Sequence, residues 1–306
     1  MPREITADLF LDARATLGEG ALWNAKRRIL YWVDILEKKL CLLDPTTKTN
    51  HVITLDQFIG TVVPRKRGGV MLALQRGFYS LEVGRDRWAR RDSPQTEKLI
   101  FIADPERHVP DNRFNDGKCD PAGRFWAGTM SLVGKNNAGA LYRLDADLSV
   151  HKMLDGVTTS NGITWSLDTK TMYYIDTPTR RVDAFDYDND AGTIQNRRAA
   201  ITIPETDGYP DGMTIDAEGM LWVAHWGGGR VTRWNPRDGK LLQTIRVPAS
   251  RTTACAFGGE KLDQLFITTA QVGRANQTPP EDEPHAGSIF VAEVGVRGIQ
   301  SFEFAG

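Results

Sequence analysis

The chain has 306 residues, with 38 Lys and Arg against 39 Asp and Glu, a formal net charge of -1. That balance excludes a surface of one dominant sign, and with it the composition argument for nucleic acid or an anionic membrane as partner. Hydrophobic residues at 41% and charged residues at 25% exclude a disordered chain, and the longest near-apolar run, residues 29–36, broken by Asp34, falls far short of a membrane-crossing helix of roughly 20 residues.

Alternation of apolar and polar positions dominates throughout, with no sustained repeat at 3.6 residues, so the predicted elements are strands. The first eight residues carry neither an apolar stretch nor a small-residue cleavage site, which predicts a cytoplasmic protein. Residues 7–13 read as a strand. Glu19-Gly20 then leads into Ala21, Leu22 and Trp23, and residues 29–33 and 40–43 form a hairpin closed by Asp44 and Pro45. Ile59-Gly60 leads through residues 70–74, and Asp116-Gly117 leads into Lys118, Cys119 and Asp120 and then Phe125 and Trp126. Asn161-Gly162 precedes strands at 171–176 and 182–187; Asp211-Gly212 precedes strands at 220–224 and 230–234. Thr253-Ala254 leads through residues 265–268, and residues 301–304 are strand-like again.

One phrase therefore recurs: a polar residue, glycine, a short strand, a turn and an aromatic-rich strand. Four copies are clear, marked at 20, 117, 162 and 212, and two weaker ones at 60 and 254 complete a set of six repeats. A repeat of about four strands cannot bury both faces of its sheet alone, so the repeats stack radially. The expected fold is all-β, a six-bladed β-propeller forming one domain over residues 1–306, its ring closed by the N-terminal strand pairing in the C-terminal blade. Two stacked β-sandwich domains are the competing architecture.

In a propeller, equivalent positions of the innermost strands converge on the axis. The residue before glycine in the four clear repeats is Glu19, Asp116, Asn161 or Asp211, which places three carboxylates and a carboxamide around one funnel mouth. Carboxylates crowded together are tolerated when protonated, paired with cations or joined by a metal ion. An all-oxygen set suits calcium, magnesium or manganese, with zinc or ferrous iron compatible. The competing reading makes each polar-Gly pair an ordinary turn. Arg113 and Asn115, just upstream of Asp116, form a guanidinium and carboxamide pair suited to hydroxyl, carbonyl or carboxylate oxygens. The five histidines show no zinc-protease spacing, and His225 reads as a hydrogen-bonded structural group or a funnel residue. Cys41, Cys119 and Cys255 are odd in number and far apart, which suits buried apolar residues better than disulfides or a thiolate zinc site.

Several segments together resemble the senescence marker protein, gluconolactonase and luciferin-regenerating family, and within it the regucalcin-like sugar lactonases. The resemblance is carried by Leu17-Gly18-Glu19-Gly20, by Arg113-Phe114-Asn115-Asp116-Gly117-Lys118 and by Ala127-Gly128-Thr129-Met130. Ser160-Asn161-Gly162, the run from Asp183 through Ala184, Phe185 and Asp186 to Tyr187, Pro210-Asp211-Gly212 and the closing Phe304-Ala305-Gly306 extend it over essentially the whole chain. The resemblance implies a sugar lactone as the small-molecule partner and one catalytic divalent metal ion held by Glu19, Asn161 and Asp211. It further implies substrate contacts from Arg113, Asn115 and Asp116, and Asp211 as the general base. The implied reaction is hydrolysis of an aldonolactone to its sugar acid. A calcium-binding regulatory protein without catalysis, and a metal-dependent arylesterase or phosphotriesterase, are the alternatives. The chain departs from the family where regucalcin-like members carry acidic residues after the Gly-Thr-Met segment, because Leu132 and Val133 stand there.

Overall fold

The computed structural model describes residues 2–82, 98–271 and 283–306. Among them the chain forms six small antiparallel sheets, arranged as the blades of a β-propeller. Within each blade strands consecutive in sequence pair antiparallel, most of them joined by turns of two to five residues. The innermost strands are Gly18–Asn24, Ile59–Pro64, Asn112–Cys119, Ser160–Trp165, Tyr209–Ile215 and Thr252–Gly258. Every marker read from the sequence lies in one of these strands. No helix of the described residues is long and apolar enough to cross a membrane.

Ring closure follows the expectation, with an addition. Asp8–Leu11 pairs antiparallel with Ile289–Glu293 and supplies the outermost strand of the sixth blade. Arg3–Thr6 runs instead alongside Lys240–Arg246, in parallel, and gives the fifth blade a fifth strand. The N-terminus thus spans two blades.

The C-terminal segment corrects the strand expected at 301–304. Phe304 makes an isolated parallel bridge with Arg65, and its N–H donates to the Pro64 carbonyl at 2.8 Å. Ala305 donates to the Gly123 carbonyl at 2.9 Å, Gly298 donates to Leu262 at 2.8 Å, and Lys26 pairs with Glu303. Those partners lie at or just beyond the far ends of innermost strands, so the tail is a strap across the end of the propeller opposite Glu19. Phe304 is fully buried there, among Cys119, Phe125 and Leu144.

Among the described residues, two blades are held to their own turns by the same device. In the third blade Asp120 accepts from the Trp126 indole N–H at 2.8 Å, and in the fifth Asp216 accepts from Trp222 at 2.9 Å. Each carboxylate also caps its turn and pairs with an arginine, Arg124 or Arg233. Both aspartates are fully buried and satisfied, as buried charge requires. All three cysteines are free and buried, as their spacing indicated.

Candidate functional site

The polar-Gly pairs are not turns. In each of the six innermost strands the ladder to the next strand slips at the marker: between Glu19 and Leu22, Ile59 and Thr61, Phe114 and Gly117, Ser160 and Ile163, Pro210 and Met213, and Thr252 and Ala254. A bulge of this kind re-aims a side chain out of the regular alternation. Glycine is required where blades approach most closely. A Cβ on Gly162 would lie 2.8 Å from the Asp211 carbonyl oxygen, and one on Gly60 2.7 Å from that of Asn115. These contacts bring the bulged segments of neighbouring blades against one another.

The result is a buried polar cluster. Glu19, Arg113, Asn115, Asn161 and Asp211 are each no more than 6% exposed. Asp116 keeps some surface, directed into an axial cavity that it lines together with Gly20, Lys118, Met213 and Cys255. The structure therefore brings together all six residues expected at the site from the sequence.

Burial, and then the nearby Asp116 charge, push the Glu19 carboxyl up to about 8, against the opposing pull of the Gly20 N–H and of Arg113. Asp211 is raised well above the ordinary carboxylate range by burial, then by Glu19 and Asp116. Asp116 is raised by burial, opposed by Lys118 and the Gly117 N–H. Burial lowers Arg113 to about 10, which leaves the guanidinium charged at neutral pH, supported by Glu19 and Asp211. Desolvation and mutual repulsion thus make the cluster short of positive charge.

A chain of hydrogen bonds fixes the orientation of Asn161. The Thr177 hydroxyl donates to the Pro210 carbonyl at 2.9 Å, so at 2.8 Å it can only accept from the Asn161 amide nitrogen. The Asn161 oxygen is thereby turned toward Asn115, whose nitrogen donates to it at 3.2 Å and to the Ser160 carbonyl at 2.7 Å. Arg113 in turn donates to the Asn115 oxygen at 2.7 Å and to the Phe114 carbonyl at 2.9 Å. Sequence reasoning missed Thr177. It sits in the short 3-10 turn Thr177–Thr179 after the second strand of the fourth blade, outside any repeat marker, and its only signal is the following proline.

Whether these residues suit a divalent ion can be judged from their donor atoms. Asp211 Oδ1 is buried without a hydrogen-bond partner, an expensive state for a carboxylate oxygen. Among the described residues no three His, Cys, Asp or Glu are placed to hold a metal ion by themselves. With only two of the carboxylates able to share an ion, the third donor from this chain would have to be the Asn161 carboxamide. Two carboxylates and an oriented amide oxygen, one carboxylate atom orphaned, fit a hard cation.

The other predicted positions resolve plainly. His225 is fully buried, held between the Asp207 carbonyl and the Thr232 hydroxyl, and burial lowers it to about 4, so it is a neutral structural group. Leu132 and Val133 are 41% and 70% exposed, and the Leu132 N–H donates to the Asp111 carbonyl, two residues before Arg113. They form an apolar stretch on the rim at the site end of the third blade.

Residues 17–271 match the family described as SMP-30/Gluconolactonase/LRE-like region. The protein YvrE of Bacillus subtilis (strain 168), provisionally named a sugar lactone lactonase, is 41% identical over 300 residues, which cover 98% of this chain and 99% of that one. The structure of a luciferin-regenerating enzyme superposes with a TM-score of 0.88 at 32% identity, covering 98% of this chain and 99% of that chain. A structure described as a calcium-binding protein, regucalcin, from Agrobacterium tumefaciens str. C58 gives a TM-score of 0.87 at 27% identity, covering 99% and 98%.

Proposed function

The chain belongs to the SMP-30/gluconolactonase/LRE-like family, and on that premise we propose that it hydrolyses a sugar lactone to the open sugar acid, using one divalent metal ion held by Glu19, Asn161 and Asp211. The observation that carries this reading is the Asp211 carboxylate, buried at the mouth with one oxygen unpartnered and crowded by Glu19 and Asp116. When bound, the ion supplies Lewis-acid polarisation of the lactone carbonyl.

The protein's own groups do the rest. Asp211 has two oxygens, so one can serve as ligand while the other accepts a proton from the attacking water. The water oxygen bonds to the carbonyl carbon, the ring C–O bond breaks, and Asp211 returns its proton to the departing ring oxygen, which leaves as a hydroxyl. Arg113 spends one nitrogen on Phe114 and Asn115, and the remainder of its fork is available to lactone and hydroxyl oxygens. Asn115 acts on substrate and also keeps the Asn161 oxygen in place. Asp116 accepts a substrate hydroxyl. The neutral donor Asn161 limits the ligand charge to two carboxylates, so a divalent ion keeps its power to polarise a carbonyl.

The all-oxygen donor set favours calcium, magnesium or manganese, and the similarity to the Agrobacterium protein described as calcium-binding supports calcium. The Arg113 and Asn115 pair favours an enzyme over a purely calcium-binding protein, which has no use for a buried guanidinium at the mouth.

The test is a panel of aldonolactones, aryl esters and organophosphates assayed after exhaustive chelation and again after each divalent ion is restored. Lactone hydrolysis is expected to vanish on chelation and return with metal. Full activity in the stripped protein refutes the metal requirement, and a preference for aryl esters or organophosphates refutes the substrate class.

A further inference from the structure

Below the cluster at the mouth, the axis of the propeller is not lined by apolar groups alone. Lys118, two residues beyond Asp116 on the innermost strand of the third blade, reaches across the axis, and its ammonium donates to the Met213 carbonyl of the fifth blade at 2.7 Å. It lines the axial cavity with Asp116, Leu22 of the first blade, and Ala254 and Cys255 of the sixth. The charge that acts most strongly on it is that of Asp116. A lysine with its head group inside a protein is costly unless its donors and its charge are answered; here the Met213 carbonyl accepts from it, and Asp116, lining the same cavity, supplies a compensating charge without a direct ion pair.

The charge balance makes the position consequential. Glu19, Asp116 and Asp211 are three potential negative charges, and Arg113 and Lys118 are the two positive ones within the same cluster. Fully ionised, the group carries one net negative charge; one divalent ion brings it to one positive, and a second to three positive. An ammonium is a compact point charge that can occupy the place of a cation among oxygen atoms. The Met213 carbonyl that it holds, and the Asp116 carboxylate that lines the same cavity, are the oxygens a hard cation would take when the ammonium is removed.

We propose that the Lys118 ammonium is the built-in cation of the axial cavity and restricts the protein to a single divalent ion, at the mouth. Lys118 is a positioning residue: it touches neither lactone nor metal, and it keeps the Asp116 carboxylate and the interior of the channel from recruiting a second ion. This rests on the ligand set proposed above only for the ion at the mouth.

The experiment is calcium stoichiometry by titration calorimetry and elemental analysis on the wild type, Lys118→Ala and Lys118→Met. Both variants lose the charge, but alanine leaves room and methionine fills it. The expected values are one calcium per chain for the wild type, two for Lys118→Ala and one for Lys118→Met. Ethylammonium chloride, in the absence of calcium, is expected to raise the melting temperature of Lys118→Ala and leave the other two unchanged. Equal stoichiometry in all three proteins, with no ethylammonium effect, overturns the proposal, as does a wild type that binds two ions. If Lys118→Ala folds only with calcium or ethylammonium present, the proposal is supported; if neither restores it while Lys118→Met folds, it is overturned. If neither variant folds, the wild-type stoichiometry decides. A wild type binding none and an alanine variant binding one would sink the ligand set at the mouth and leave the axial role of Lys118 standing.

Discussion

Replacing Glu19 by Gln separates what the site costs the fold from what it does for a ligand. The folded protein holds this carboxyl at about 8 against an ordinary 4.5. Below 4.5 it is protonated in both folded and unfolded chains and has no effect. Between 4.5 and about 8 the unfolded chain has released the proton while the folded one keeps it, so stability falls as pH rises. Above that window the loss is complete. At 1.36 kcal/mol per pH unit it amounts to about 5 kcal/mol as an upper bound. Glutamine mimics the protonated acid, retains an oxygen for the Gly20 N–H, and relieves Asp211 of a repelling neighbour. Metal-free Glu19→Gln is therefore expected to melt above metal-free wild type at pH 9, by roughly 10 °C when each kcal/mol is worth about 2–4 °C, and to match it at pH 4.5. With saturating calcium the wild type should rise and the variant should not, because a cation binding only the folded state stabilises it by mass action. The measurement is scanning calorimetry across pH, in chelator and in calcium. A chelated variant that melts at or below the wild type at pH 9 would show that the Glu19 carboxylate is not confined among other negative groups.

Asp211→Asn should lower kcat on a lactone by about 100-fold or more, the usual scale for losing a general base, whereas Asn115→Ala should chiefly raise KM; equal losses confined to kcat would contradict those roles. Thr177→Val keeps the shape of the side chain but removes both bonds of the Asn161 to Pro210 bridge, and calcium affinity by calorimetry should fall about 10-fold, in the range found for groups that orient a ligand. Deleting residues 2–14 removes the outermost strand of the sixth blade and the fifth strand of its neighbour, so the melting temperature should drop severely; an unchanged melt argues against closure by this segment. Phe304→Ala empties a fully buried site under the C-terminal strap, which should cost about 3–5 kcal/mol in urea unfolding.

The architecture was legible because a propeller repeats itself. Each blade needs the same bulged inner strand and most carry an aromatic second strand, so the markers at 20, 117, 162 and 212 stand out in one chain read alone and those at 60 and 254 follow from their spacing. Registering those markers on a common axis was enough to bring Glu19, Asp116, Asn161 and Asp211 together. Local chemistry also assigned the cysteines to the interior and favoured a structural role for His225.

What the repeat could not reveal lies wherever segments distant in sequence meet at particular angles. A polar residue before glycine makes either a turn or a bulge, and only the ladders beside it decide; here all four pairs, like the two weaker markers, are bulges within strands. The orientation of Asn161 depends on a threonine 16 residues away and a carbonyl 33 residues beyond that. Lys118 meets Met213 across 95 residues, and the last residues cross the far face rather than joining a sheet. Composition and periodicity report which side of a strand is buried. They carry no information on which blade lies opposite, because that is settled by the packing of all six around the axis.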